Sequence, residues 1–205
     1  MPRSKAQNEQ IRAERRRQIV QAATPLFAHH GFSQTSISDV AAAAGLSHGS
    51  VFLHFASKEE LFRAAVLEPL AEFEPLFDPA RHPQGTPLER LRRMVDEQLA
   101  AVARREAYLV LVQYVIHQRD RFGELAGQIF AFSERICAAM VPLIQAAQEA
   151  GELVPGPPDR IFWSYFAYMN GLALTILECD PESEFWRGLC ANAMRLFGPT
   201  AAGDG

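Results

Sequence analysis

The chain has 205 residues, 48% of them hydrophobic and 21% charged, with a formal net charge of −4. That balance suits a globular protein of one or two domains. The three cysteines, Cys137, Cys179 and Cys190, are odd in number and widely spaced, which excludes a disulfide framework or zinc spacing and suits a reducing cytoplasm.

The opening run MPRSKAQNEQIRAERRRQ lacks the apolar centre of a secretory signal. Residues 1–60 carry seven Lys/Arg against five acids, a net +2, while the remaining 13 basic and 19 acidic residues leave −6. Such asymmetry suggests an end that faces phosphate and a body repelled by it. Ile11, Ile19, Ala22, Ala23, Leu26 and Phe27 predict a first amphipathic helix, bent at Pro25 and ended by Gly31. Ser36 to Ala44 predicts a short second helix, opened by the capping-box pair Ser36 and Asp39. Gly45 allows a tight turn, and Ser47 can cap a third helix reaching about Phe55. Ser57-Lys58-Glu59-Glu60 is another capping box and opens a fourth helix through about Phe73.

The segment from Glu74 to Pro87 holds Pro75, Pro79, Pro83, Gly85 and Pro87. It reads as a loop and as the boundary between functional regions. Further helices are expected at roughly 87–104, 106–119, 121–150, 158–178 and 182–197, with a kink at Pro142. No strand alternation persists, so the fold class is all-α. The strongly apolar uncharged run 161–177 is short for a membrane span and contains Ser164, Asn170 and Gly171, so no membrane partner is expected.

Residues 31–62 combine two short helices, a glycine-marked turn and a helix start bearing Lys58. That is how a chain builds a helix-turn-helix for the DNA major groove. Val51 and Phe55 supply a buried back for the third helix, with Val40 and Leu46 as partners and the small run Ala41–Ala44 allowing a close crossing. The exposed face then presents Ser47, His48, Gly49, Ser50, Phe52, Leu53 and His54. These groups suit base edges, thymine methyls and phosphates. Arg15, Arg16 and Arg17 form either a solvated face or a phosphate contact. Gly45-Leu46-Ser47-His48-Gly49 also matches the nucleophile elbow G-x-S-x-G. That motif needs a strand before the serine, whereas a poly-alanine helix precedes it here, so no enzyme is expected.

The letters Gly31-Phe32, Thr35-Ser36-Ile37-Ser38-Asp39-Val40-Ala41, Ala44-Gly45-Leu46-Ser47, Gly49-Ser50-Val51-Phe52, His54-Phe55 and Ser57-Lys58-Glu59-Glu60-Leu61 resemble the TetR/AcrR family of bacterial transcriptional regulators. The resemblance covers residues 11–62. It implies a homodimer whose two motifs read a palindromic double-stranded operator, with Thr35, Ser36 and Ser38 of the second helix start at the DNA. It likewise implies contacts from Ser47, His48, Gly49, Ser50, Phe52 and His54, and from Lys58 to a phosphate. One letter departs: the family usually has Tyr where this chain has Phe52, so a hydroxyl that could bond a phosphate is missing. A helix-turn-helix domain over 1–60 and a helical regulatory and dimerisation domain over 61–205 follow.

The helix at 158–178 is apolar around most of its circumference and must bury two faces. A second protomer is the simplest second surface, with the helix at 182–197 beside it. Tyr108, Tyr114, His117, Gln118, Phe130 and Phe132 mix aromatic bulk with polar tips, as do Cys137, Met140, Tyr165, Phe166 and Met169. Together they are candidates for a small-molecule cavity, which the resemblance implies. The expected function is a repressor released from its operator by a small apolar or aromatic ligand, without cofactor or metal. Two other readings stay open: a regulator of the same fold sensing oxidation or metal through its cysteines, and a DNA-binding module without effector.

Overall fold

A computed structural model describes residues 5–175 and 183–197. Among them every regular element is helical. The chain packs into two compact units. The first takes the residues up to Pro69 together with Val110–Ala126; the second takes Leu70–Leu109 and the chain from Gly127 onward.

The first unit opens with α1, Lys5–Gln34, which holds Pro25 in its interior. Its non-helical backbone is at Gly31 (φ 74°, ψ 171°) rather than at the proline. Only glycine enters that region cheaply, and a Cβ there would also lie 3.2 Å from the Tyr114 hydroxyl. The break turns Phe32 into the core, where its N–H donates to the Tyr114 oxygen at 3.2 Å. Phe62 meets Phe27 and Phe32 edge-on, both at 5.0 Å between ring centres, and Phe122 lies 4.9 Å from Phe62. Edge-on contacts of this kind add to the area that the rings remove from water.

Helices α2 (Ile37–Ala43), α3 (His48–Phe52) and α4 (Lys58–Phe73) follow. The second unit continues through two 3-10 turns, Glu74–Phe77 and Pro79–Arg81. The expected loop is thus ordered: Phe77 is buried, and Arg90 donates to the carbonyls of His82 at 2.7 Å and Pro79 at 3.2 Å. Next come α5 (Pro87–Ala103), α6 (Glu106–His117), α7 (Gly123–Glu149), α8 (Pro158–Thr175) and α9 (Glu184–Arg195). A Thr86–Glu89 capping box opens α5. The residues 176–178 and 182 assigned to the last two helices, and Cys179, lie outside the described residues.

Burial in the second unit follows helical spacing. Leu91, Met94, Val95 and Leu99 of α5 are buried, as are Ile136, Met140, Ile144 and Ala147 of α7. Pro142 sits within α7. On α8 the buried line is Ile161, Phe162, Tyr165, Met169 and Leu172. Its other side leaves Trp163, Ala167 and Gly171 exposed. On α9 and just after it, Trp186, Ala193 and Phe197 face inward, while Phe185 and Leu196 are 65% and 36% exposed.

Candidate nucleic-acid interface

Local chemistry builds the motif. The Ser36 hydroxyl accepts from the Asp39 N–H at 3.1 Å, and the Asp39 carboxylate accepts from the Ser36 N–H at 2.8 Å. This reciprocal box satisfies donors that the first turn of α2 leaves free. Hydrogen bonds from the Ser36 side chain and then its backbone hold the Asp39 carboxyl below its ordinary value. At the other end, Gly45 (φ 65°) donates to the Ala42 carbonyl at 3.1 Å and Leu46 to Ala41 at 2.8 Å. That pair of bonds is the Schellman closure, and it needs the left-handed backbone that glycine tolerates. Gln18 then fastens the turn to α1 through the Ala44 carbonyl at 2.8 Å.

The third helix starts at a second cap. The Ser47 hydroxyl accepts from the Ser50 N–H at 3.2 Å and lies 2.7 Å from the Ser50 hydroxyl. Ser47 therefore sits between two helices, not on the strand-to-helix turn of a nucleophile elbow. The helix ends at Phe52 rather than Phe55. Val51 and Phe55 are nonetheless buried at its back, with Val40 beneath and Leu46 only partly covered.

The outer face holds most of the residues expected at DNA. Ser36, Ser38, Ser47, His48, Gly49 and Phe52 are exposed, and Ser50 and His54 are half-buried. A Cβ at Gly49 would meet nothing within 4 Å. Thr35 departs from this pattern: it is 1% exposed, and its hydroxyl donates to the carbonyls of Leu26 at 3.1 Å and Gly31 at 2.9 Å. Its side chain pins the break at Gly31 and does not reach the outer face. Lys58 also leans inward. Its Nζ donates to the Thr35 carbonyl at 2.9 Å and lies 4.4 Å from the centre of the Phe32 ring.

The arginines of α1 divide. Arg16 reaches Glu68 through Nε at 2.8 Å, donates to the His54 carbonyl at 3.0 Å, and lies 4.2 Å over the Phe55 ring. It clamps the back of α3. Arg17 pairs with Glu14, and Arg15 donates to Gln18 at 2.9 Å. Burial first, then Arg12, Arg16 and Arg15, depress the His54 pKa below its ordinary value. Near neutral pH the imidazole is uncharged. The clamping role of Arg16 and the Gln18 bond carry no local signal, because their partners lie 26 to 52 positions along the chain.

The eleven residues assigned to a ligand cavity do not form one group. Tyr114 packs in the first unit against Phe62, with ring centres 6.3 Å apart. His117 and Gln118 are exposed residues of that same unit, and Phe130 is 50% exposed. Tyr108, Cys137, Met140, Tyr165 and Met169 are buried in the second unit, Phe132 likewise, and Phe166 is half-buried. The Tyr165 hydroxyl donates to Gln98 Oε1 at 2.6 Å, and the Gln98 amide donates to the Leu76 carbonyl at 2.8 Å. Gln98, 0% exposed, carries no local signal of this role. A cavity of 430 Å³ in the first unit is floored by Phe32, Phe62 and Phe122, and none of the eleven lines it. Burial, then Asp159, pushes the Cys137 thiol upward, which disfavours the reactive thiolate. Among the described residues no cluster of three or more His, Cys, Asp or Glu is placed to hold a metal.

Residues 19–65 match the model of the bacterial regulatory proteins of the tetR family. The chain is 27% identical over 145 residues to the HTH-type transcriptional repressor BepR of Brucella suis, 69% of each protein. It is 29% identical over 191 residues to the HTH-type transcriptional regulator YfiR of Bacillus subtilis, 88% of each. The fold superimposes with a TM-score of 0.70 on AibR, solved with isovaleryl coenzyme A and operator DNA. That likeness, at 21% identity, covers 90% of this chain and 99% of the other. A helix-turn-helix closed by its own caps thus coincides with the matched segment: the chain carries the N-terminal helix-turn-helix domain of the tetR family of bacterial regulatory proteins, followed by a helical C-terminal region.

Proposed function

We propose that this chain is a cytoplasmic, homodimeric repressor that reads a palindromic operator and is released by a small apolar or aromatic ligand. The observation that carries the reading is the outer face of α3. Its back is fully buried at Val51 and Phe55, so the exposed side is presented rigidly. Ser36, Ser38, Ser47, His48, Gly49, Ser50, Phe52 and His54 form the reading surface. Lys58 uses one N–H on Thr35, and the others of its three can reach a phosphate.

The exposed side of α8 supports the dimer. Trp163, 39% exposed, lies with Ala167 and Gly171 at four-residue spacing, and Phe185 of α9 is 65% exposed. Large apolar groups in water mark surfaces that associate. The Tyr168 hydroxyl donates to the Leu189 carbonyl at 2.8 Å and holds α8 to α9. Tyr108, Cys137, Met140, Tyr165, Phe166 and Met169 are the part of the expected cavity lining that stays in the second unit. AibR, bound to isovaleryl coenzyme A and operator DNA, supports response to a ligand.

Selection from a random duplex pool with the full chain tests the reading. An enriched inverted repeat, bound by two protomers in sedimentation, is expected. Binding must also weaken steeply as salt rises, because phosphate contacts release counterions. Failure to enrich any sequence overturns the proposal.

A further inference from the structure

The reading face of α3 has an unusual chemistry. Residues 45–57 contain no Arg, Lys, Asn, Gln, Asp or Glu. Two of the cations nearby are turned inward: Arg16 holds Glu68 and the His54 carbonyl, and Lys58 holds the Thr35 carbonyl. The bidentate pairings that read guanine through Arg or Lys, and adenine through Asn or Gln, are therefore unavailable to this helix. Short hydroxyls, two imidazoles and two large apolar side chains remain. Phe52 is 44% exposed and Leu53 is 74% exposed.

These two stand next to each other at the end of α3, beside the polar groups of its start. The His48 ring lies 5.0 Å from the Phe52 ring, tilted by 59°, so imidazole and phenyl form one continuous surface. Phe52 also lacks the hydroxyl that would turn it toward a phosphate oxygen. In the major groove the one strongly apolar feature is the thymine 5-methyl group.

We infer that Phe52 and Leu53 are specificity-determining residues that read thymine methyl groups in the operator, with His48 held against Phe52 to read the adjoining base edge. The inference rests on the DNA-reading function proposed above. Removing one methyl from a contact of this kind weakens binding by about fourfold, the equivalent of one buried carbon.

The test uses the full chain and the duplex it selects from a random pool. Each thymine in turn is replaced by deoxyuridine, which deletes the 5-methyl and leaves the pairing edge unchanged. At one or two positions per half-site the affinity should fall about fourfold. Leu53→Ala should lower affinity for the thymine duplex and abolish the deoxyuridine effect at the position it reads. Phe52→Tyr should strengthen binding to every sequence and leave the methyl effects in place. Both side chains are exposed, so neither variant threatens the fold; circular dichroism checks this. A selected duplex whose affinity is indifferent to every deoxyuridine replacement overturns the inference while leaving DNA binding intact. A pool from which nothing is selected overturns the DNA-reading function itself.

Discussion

The two units bury apolar side chains by the same physics but specify their surfaces differently. In the first, short-range polar bonds decide the shape: Ser36 with Asp39, Gly45 and Leu46 with the end of α2, Ser47 with Ser50. Each partner lies within five residues, so the outer face is written locally. In the second, α8 and α9 show exposed aromatics whose purpose depends on what covers them. The contrast teaches that a recognition surface can be encoded by caps, whereas an association surface is encoded by what burial leaves over.

The largest effect should fall on both units alike. Phe55→Ala and Phe162→Ala, each at a site no more than 1% exposed, should cost about 3–5 kcal/mol by urea unfolding. Only Phe55→Ala should abolish DNA binding under conditions where the chain stays folded. Next come the glycines. Gly31→Val forces a branched side chain into positive φ against Tyr114 and should cost about 1–3 kcal/mol. A Cβ at Gly171 would meet nothing within 4 Å, so Gly171→Leu should leave the isolated protomer as stable and weaken the dimer in sedimentation. If it left the dimer intact, the association surface would lie elsewhere.

Smaller changes sharpen the contrast. Ser36→Ala should remove about 1 kcal/mol from the first unit. Lys58→Ala should reduce the slope of log affinity against log salt by about one, equally for all sequences. The smallest effect is pH-dependent. The folded chain resists protonating His54, so the unfolded chain takes up the proton first. Stability of the first unit should therefore decline as pH falls from the ordinary histidine value of 6.5 toward the lower folded value. His54→Gln should flatten that decline.

The caps, the turn and the buried back of α3 were legible because each depends on residues close in sequence. Thr35 and Lys58 were not. Both look like polar groups at helix starts, yet the break at Gly31 brings the Leu26 carbonyl and the Phe32 ring against them. Nothing local marks 110–126 as part of the first unit. That follows from Tyr114 meeting the Phe32 N–H, a pairing 82 positions apart. Gln98 is similar: a polar letter in an amphipathic helix became a buried partner of Tyr165. The pocket list failed for His117, Gln118 and Phe130 because aromatic and polar tips do not reveal which face of a helix they occupy.

The most direct test of the central claim, that the outer face of α3 enters the major groove, is chemical protection of guanine N7 on the selected duplex. Two protected major-groove patches are expected, related by the palindrome and about one helical turn apart or a multiple of it, with loss of both in His48→Ala. Protection confined to minor-groove adenine N3, or a footprint unchanged by His48→Ala, would contradict it.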